Sequence, residues 1–321
     1  MGIFKIDIEV EKSIIIDSTL EKVWEYISEI KNKNIWSPWL ILEKDCKHKT
    51  FWNPWTIWYK EHWKWNMIWE WEQIITNINH LQYITYDLNF IKPFKSNNTA
   101  SFHLTKLTEK QVELTWRMDW SFPLYLFFLR KKTVSYLEHD FERWLIMLKE
   151  LIEKWKLETE TKYIWVDKLN KKYYIWSKWS CKLGELWSKL SIDFTSFGDI
   201  INEHKIKSLC YFVRYLKTDM VNDYYEFEAC VEIPEADYKN FQTALISTYT
   251  LWILDETKVA ITSHYGSFKF IPNSWTWAYM YVKYNKLEIN KSYSPIELYE
   301  SWINDWVKEK DFVVHVLIPV K

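Results

Sequence analysis

The chain has 321 residues, of which 23 are tryptophan and only 4 are glycine, and its 42 basic and 43 acidic side chains leave a net charge of -1. That balance excludes the basic footprint of direct nucleic-acid binding, and the absence of any apolar run near about 18 residues excludes a transmembrane helix. At 48% apolar and 26% charged residues, the composition describes a globular chain whose length suggests about two domains.

The N-terminal residues go straight into charged, strand-like sequence with no signal-peptide core. Cys46, Cys181, Cys210 and Cys230 stand too far apart for zinc pairs or a dense disulfide framework. A reduced, cytoplasmic protein is expected. Residues 8–16 alternate and then run apolar, as a strand does. Ser18 and Glu21 have capping-box spacing, and the helix they predict carries Val23, Trp24, Ile27 and Ile30 on one face. Residues 35–39 interrupt it. Between 49 and 120 several alternating runs separated by turn chemistry predict an antiparallel sheet of short strands. Val134, Leu137, Phe141, Leu145, Leu148 and Ile152 then follow the 3-4 spacing of a long amphipathic helix.

These elements describe a sheet wrapped around a long C-terminal helix, the helix-grip arrangement. The segments VEKSIIIDSTLEKVWEYI, NIWSPW, HWKWNMIWEWEQI, VELTWRMDW and HDFERWLIMLKELIE resemble the polyketide cyclase/START-like (SRPBCC) family over about residues 8–155. The resemblance implies a ligand cavity, and Trp36, Trp39, Trp63, Trp116 and Phe141 are candidate cavity or core residues, core being the commoner role of aromatic residues at such spacing. It also implies Gly where this chain has Trp65, Trp69, Trp71, Trp120 and Trp144. The spacer at Met67-Ile68 is one residue shorter than the family's usual one.

That last implication meets the composition. Average usage of about 7% would give roughly 22 glycines and about 4 tryptophans in a chain of this length, so the deficit of one matches the excess of the other. In residues 51–71 seven Trp occur in 21 positions, several beside turn-forming residues such as Asn53-Pro54. Glycine tolerates the positive φ that such turns demand. The pattern points to a reassigned UGA codon, with glycine native at positions 52, 55, 58, 65, 69, 71, 120, 144, 165, 176, 179, 187, 252, 302 and 306. Trp24, Trp36, Trp39, Trp63 and Trp116 fit as genuine, and Trp155, Trp275 and Trp277 stay open. The alternative is a truly tryptophan-rich protein.

After Lys156 a short polar stretch marks a boundary, giving expected domains 1–156 and 157–321. The second half contains one α+β unit twice, and the repeated V-x-I-P endings in ACVEIPE and VHVLIPVK are its best internal sign. The expected fold class is therefore α+β throughout, with a helix-grip domain followed by a duplicated α+β domain with a central cleft. Residues 264–268 (HYGSF), 295–300 (PIELYE) and the closing LIPVK make this half similar to the gyrase inhibitor-like effector-binding domain of AraC-type and multidrug-responsive regulators. The family more often has Pro where Ser267 stands.

The resemblance implies an aromatic-lined cleft in which Glu297 meets cationic or polar ligands, with Tyr299, Tyr265 and Phe268 beside it. The physics is reasonable, because a carboxylate desolvated among aromatic rings is costly alone and gains charge pairing and cation–π contact from a cation. Some relatives hydrolyse strained electrophilic rings, which would make Glu297 a general base and Tyr299 or Tyr265 the acid. A third possibility is an adaptor whose helix-grip half binds another protein. Adjacent helix residues point apart, so His139 and Asp140 make no acid–base pair, and Arg130, Lys131 and Lys132 read as a solvated helix start. No cofactor or metal motif occurs. The expected partners are a small-molecule ligand and a separate regulator protein, with no direct nucleic-acid or membrane contact.

Overall fold

The structure, a computed structural model, describes residues 5–29, 32, 35–36, 46–53, 56–65, 70–92, 95–244, 250–300 and 308–321. The chain divides into two compact units, residues 1–157 and 158–321. Each is α+β and each contains one antiparallel sheet.

In the first unit β1 (Lys5–Ile16) leads into α1 (Leu20–Ser28), followed by β2 (Lys47–Phe51), β3 (Lys60–Lys64), β4 (Glu70–Asn79), β5 (Tyr83–Lys92), β6 (Ser96–Thr108) and β7 (Gln111–Pro123). The seven strands lie in the order β1-β7-β6-β5-β4-β3-β2, a meander whose last strand pairs with the first. A 3-10 turn over Leu124–Leu129 then enters the long helix α2 (Arg130–Lys154), which packs on β1. The predicted apolar face of α2 is the buried one. Phe141, Leu145, Leu148 and Ile152 are all interior, and Leu145 and Leu148 pack with Ile16, Val23, Ile27 and Leu114. Each such side chain contributes about 1.5–3 kcal/mol by leaving water.

One local expectation is corrected. The cap of α1 is Thr19 rather than Ser18, and its Oγ1 accepts the Lys22 backbone N–H at 3.3 Å. Ser18 is held in a bend by its own N–H on the Ile16 carbonyl (3.0 Å), which delays the helix by one residue. At the other end α2 stops at Trp155, whose backbone is left-handed (φ 59). Seven described non-glycine residues have positive φ, and three of them are tryptophans, Trp52 (φ 66), Trp58 (φ 76) and Trp155. All three side chains are mostly exposed. Left-handed backbone is a glycine position, and a bulky residue there is an outlier.

The second unit runs β8 (Thr159–Leu169), β9 (Lys172–Cys181), α3 (Leu183–Glu203), β10 (Cys210–Asp219), β11 (Tyr224–Ile233), α4 (Glu235–Ala244), β12 (Thr250–Leu254), β13 (Thr257–Gly266), α5 (Ile271–Tyr284), β14 (Ile296–Tyr299) and β15 (Val313–Val320). Its strand order is β12-β9-β11-β10-β14-β15-β13-β8. This is a duplication: β8-β9-α3-β10-β11 matches β12-β13-α5-β14-β15. The two V-x-I-P signals fall at the ends of the equivalent strands β11 and β15. The halves meet where β10 pairs with β14, and each half lends its first strand to the other, β8 to β13 and β12 to β9.

That exchange bends the sheet. β8 is the last strand of the order and β9 the second, yet only residues 170 and 171 separate them in the chain, just as 255 and 256 separate β12, the first strand, from β13, the second from last. Leu169 pairs with Thr257 and Lys172 with Leu254, so the two edges converge. The inner face holds Tyr174, Phe212, Cys230, Val259, Ile296 and Leu317 as one apolar cluster. The other face receives α3 and α5.

Candidate functional site

Strand alternation sends residues two apart to the same face. On β14, Ile296 belongs to the inner cluster, so Glu297 and Tyr299 face the side covered by α3 and α5. Pairing aligns Glu297 with Val213 of β10 and Val316 of β15. A single carboxylate thus sits beside the junction of the two halves, with an apolar residue directly opposite.

Glu297 is 3% exposed. Its Oε2 accepts the hydroxyls of Tyr215 (2.8 Å) and Tyr299 (2.6 Å), and its Oε1 accepts the indole N–H of Trp275. Burial raises its pKa above the ordinary carboxylate value, while the donated bonds from Tyr299, Trp275 and Tyr215 oppose that rise. All three donors are neutral. Burial likewise pushes the Tyr215 and Tyr299 hydroxyls well above the usual phenol value, with Glu297 adding to the effect. Both phenols therefore stay protonated and act as donors.

An aromatic shell surrounds this group. Tyr215 meets Trp275 edge to face at 5.3 Å, and Trp275 stacks on Tyr279 at 6.1 Å. Phe268 meets the Tyr299 ring edge-on at 5.7 Å and stacks against Phe312 at 4.4 Å and Trp187 at 5.1 Å. Phe194 of α3 closes on Tyr299 at 6.0 Å. The duplication explains the convergence, since equivalent helices and equivalent central strands supply the groups. Of the predicted residues, Glu297, Tyr299 and Phe268 come together. Tyr215, Trp275, Trp187 and Phe194 also belong here, and no motif in the sequence announces them; only the duplication hints that the first copy faces the second.

Tyr265 does not join them. It alternates with His264 and lies on the opposite face of β13, where the Lys162 ammonium sits 4.6 Å over its ring. His264 faces the site side, paired through Val314 to Tyr299. It is fully buried and its pKa is pushed down to about 4 by that burial. Its Nε2–H donates to the Ser267 carbonyl at 2.9 Å, which sets the proton on Nε2, while burial, outweighing that bond's opposing pull, keeps the ring neutral at neutral pH.

In the first unit Trp36, Trp116 and Phe141 do come together. Trp116 stacks on Phe141 at 4.2 Å and meets Trp36 edge to face at 6.2 Å, while Trp36 donates its N–H to the Tyr26 carbonyl at 3.1 Å. Packed this way they belong to the apolar core of the unit. Trp63 lies apart, stacked between His48 (4.9 Å) and Trp71 (4.1 Å). Trp39 lies outside the described residues. A cavity of about 490 Å³ opens between α1 and the end of β4, lined by Trp24, Glu25, Ser28, Glu29, Ile78 and His80. Asp140 pairs with Arg143 at 2.7 Å and not with His139.

Among the described residues no group of three or more His, Cys, Asp or Glu is arranged to hold a metal ion, and no helix is long and apolar enough to cross a membrane. No family model matches the chain and no curated protein matches it. Among solved structures the chain is similar to EcmrR in its complex with DNA, at 11% identity over 61% of this chain and 72% of that one, with a TM-score of 0.42. It is similar also to SAV2435 bound to tetraphenylphosphonium (13% identity, 50% of this chain and 94% of that one, TM-score 0.35). A third likeness is to protein CV1439 from Chromobacterium violaceum (13% identity, 45% and 96% covered, TM-score 0.35).

Proposed function

We propose that residues 157–321 form an effector-binding domain of the gyrase inhibitor-like kind, which takes small hydrophobic cations at Glu297. The observation that carries this reading is a buried carboxylate that, among the described residues, is held by neutral donors and no cation, inside an aromatic shell. Such a group lacks one complement, a positive charge, and cation–π contact with the surrounding rings adds about 0.5–2 kcal/mol each. The half-buried Trp275 indole occupies the donor position on Oε1, so a ligand reaches Glu297 by displacing it. Residues 1–156 are a helix-grip domain of the polyketide cyclase/START-like kind, a reading supported by the long helix packed on the seven-stranded sheet. The whole is a cytoplasmic sensor or sequestering protein that acts with a separate regulator.

Thermal shift with tetraphenylphosphonium as the probe tests the site. The protein is expected to melt higher with the probe, and Glu297→Gln, which keeps the shape and removes the charge, loses most of that shift. An equal shift in both proteins rules out Glu297 as the cation's partner. The 2.6 Å contact between Tyr299 and Glu297 favours a second reading, hydrolysis of an electrophilic ring with Glu297 as base and Tyr299 as acid. Diol formation from a styrene oxide probe, lost in Glu297→Gln, supports that reading over pure binding.

The same proposal includes the reassigned codon. Support comes from Trp52, Trp58 and Trp155, which adopt the left-handed conformation that glycine takes without strain. Trp155 also stands just past a helix end, the position glycine most often fills. Glycine at 187 would unstack Phe268 and loosen the shell around Tyr299, and glycine at 71, 120 and 144 would empty part of the first unit's aromatic core. Intact-mass measurement of protein purified from its own cells is expected to fall short of the written sequence by one indolylmethyl group per replacement. A mass equal to the written sequence ends the idea.

A further inference from the structure

The 3-10 turn that joins β7 to α2 turns apolar side chains outward. Phe127 is 63% exposed and Phe128 65%. Their rings meet edge to face at 6.1 Å, resting on each other. Leu129 beside them is also exposed. Two adjacent phenylalanines left in water cost the fold the burial they would otherwise gain.

The next three residues are Arg130, Lys131 and Lys132, all exposed, and none makes an ion pair among the described residues. The first turn of α2 contains no acidic residue, and its N-cap, Leu129, offers no side-chain acceptor to the open N–H groups. Positive charge therefore collects at one place, three cations and a helix N-terminus, with no carboxylate paired to it among the described residues; Lys132 meets only the Tyr136 ring, at 5.8 Å. An apolar tip ringed by uncompensated cations has a matching counterpart in an anionic bilayer surface. Acyl chains receive the rings, and phosphate and carboxylate headgroups meet the cations one layer above.

We propose that the segment from Phe127 to Lys132 is a peripheral docking site for anionic lipid surfaces. Phe127, Phe128 and Leu129 enter the interfacial layer while Arg130, Lys131 and Lys132 lie at headgroup level. Neither attraction suffices alone. Three surface charges hold a protein weakly, and two rings without charge give marginal partition, whereas the two together give a reversible membrane-bound state. Such docking departs from the expectations that the basic run is merely solvated and that the protein makes no membrane contact, and it is independent of any ligand at Glu297.

Vesicle co-sedimentation with the full chain tests it, using phosphatidylcholine vesicles with and without about a third phosphatidylserine. The protein is expected to bind the phosphatidylserine vesicles at least about tenfold more tightly, and added salt should abolish the difference. Phe127→Ser with Phe128→Ser, and separately the triple exchange of Arg130, Lys131 and Lys132 to Gln, should each reduce binding about tenfold or more. Both variants change exposed side chains, and unchanged melting temperatures certify that they fold. Binding by the phenylalanine variant equal to that of the unaltered protein overturns the proposal. So does a concentration-dependent dimer in light scattering that disappears with the same exchange, because the patch is then an interface with a second copy.

Discussion

Gly266→Ala is expected to destabilise the second unit by about 3 kcal/mol or more, enough to leave a marginal domain largely unfolded at growth temperature. Two independent constraints meet at this residue. Its φ is +103°, a conformation L side chains rarely adopt, and an added Cβ would lie 2.1 Å from the Glu158 carbonyl oxygen. The obstacle is backbone, so it cannot swing aside as a flexible side chain does. Gly266 also donates its N–H to the Phe312 carbonyl at 2.9 Å, which ties the end of β13 to the approach of β15. Any shift that relieves the clash must disturb this bond and the β8 pairing of Gly266 with Thr159. Urea titration of the unaltered and Ala proteins measures the difference. A midpoint unchanged by the substitution would mean that strand β8 is not held against Gly266 as described.

His264, two residues earlier, is expected to make the fold acid-sensitive. Burial holds its pKa down to about 4 in the folded chain, whereas in an unfolded chain it returns to about 6.5. The unfolded state therefore binds the proton first. Above about pH 6.5 the group costs nothing. As pH falls from 6.5 towards 4, stability is lost, by on the order of 3 kcal/mol in all. Denaturant titrations at several pH values should show this slope, and His264→Gln, whose amide nitrogen can still donate to the Ser267 carbonyl, should remove that part of it. The same steep acid loss in the Gln variant would assign it to other groups. The consequence reaches the site, because His264 and Tyr299 flank the same residue of β15, Val314, on one face.

Both predictions arise in the HYGSF segment, and they show what a sequence can and cannot announce. With only 4 glycines in the chain, a glycine flanked by Tyr265 and Ser267 stands out, but its reason is the carbonyl of Glu158, more than a hundred residues away. Glu297 was legible only through the resemblance of PIELYE to the effector-binding family, because one of 43 acidic residues is by itself most often solvated. Tyr299 followed from period-2 alternation, which is local geometry. The same alternation, applied from the start, separates Tyr265 from His264 and puts Tyr265 on the wrong face for the site.

The sequence by itself determined the class of each element, the long apolar stripe of α2, the duplication and the anomalous trade of glycine for tryptophan. These are short-range properties: hydrophobic period, turn chemistry and composition act within a few residues. Only the tertiary structure decided that each half lends its first strand to the other, because strand pairing is a long-range choice made by burial and register. That exchange curls the sheet and brings Tyr215 from the first copy and Trp275 from the second onto one carboxylate. It also decided which tryptophans sit in left-handed backbone. A φ angle is set by where the chain must go next, and Trp52, Trp58 and Trp155 reveal it only once the neighbouring elements are in place.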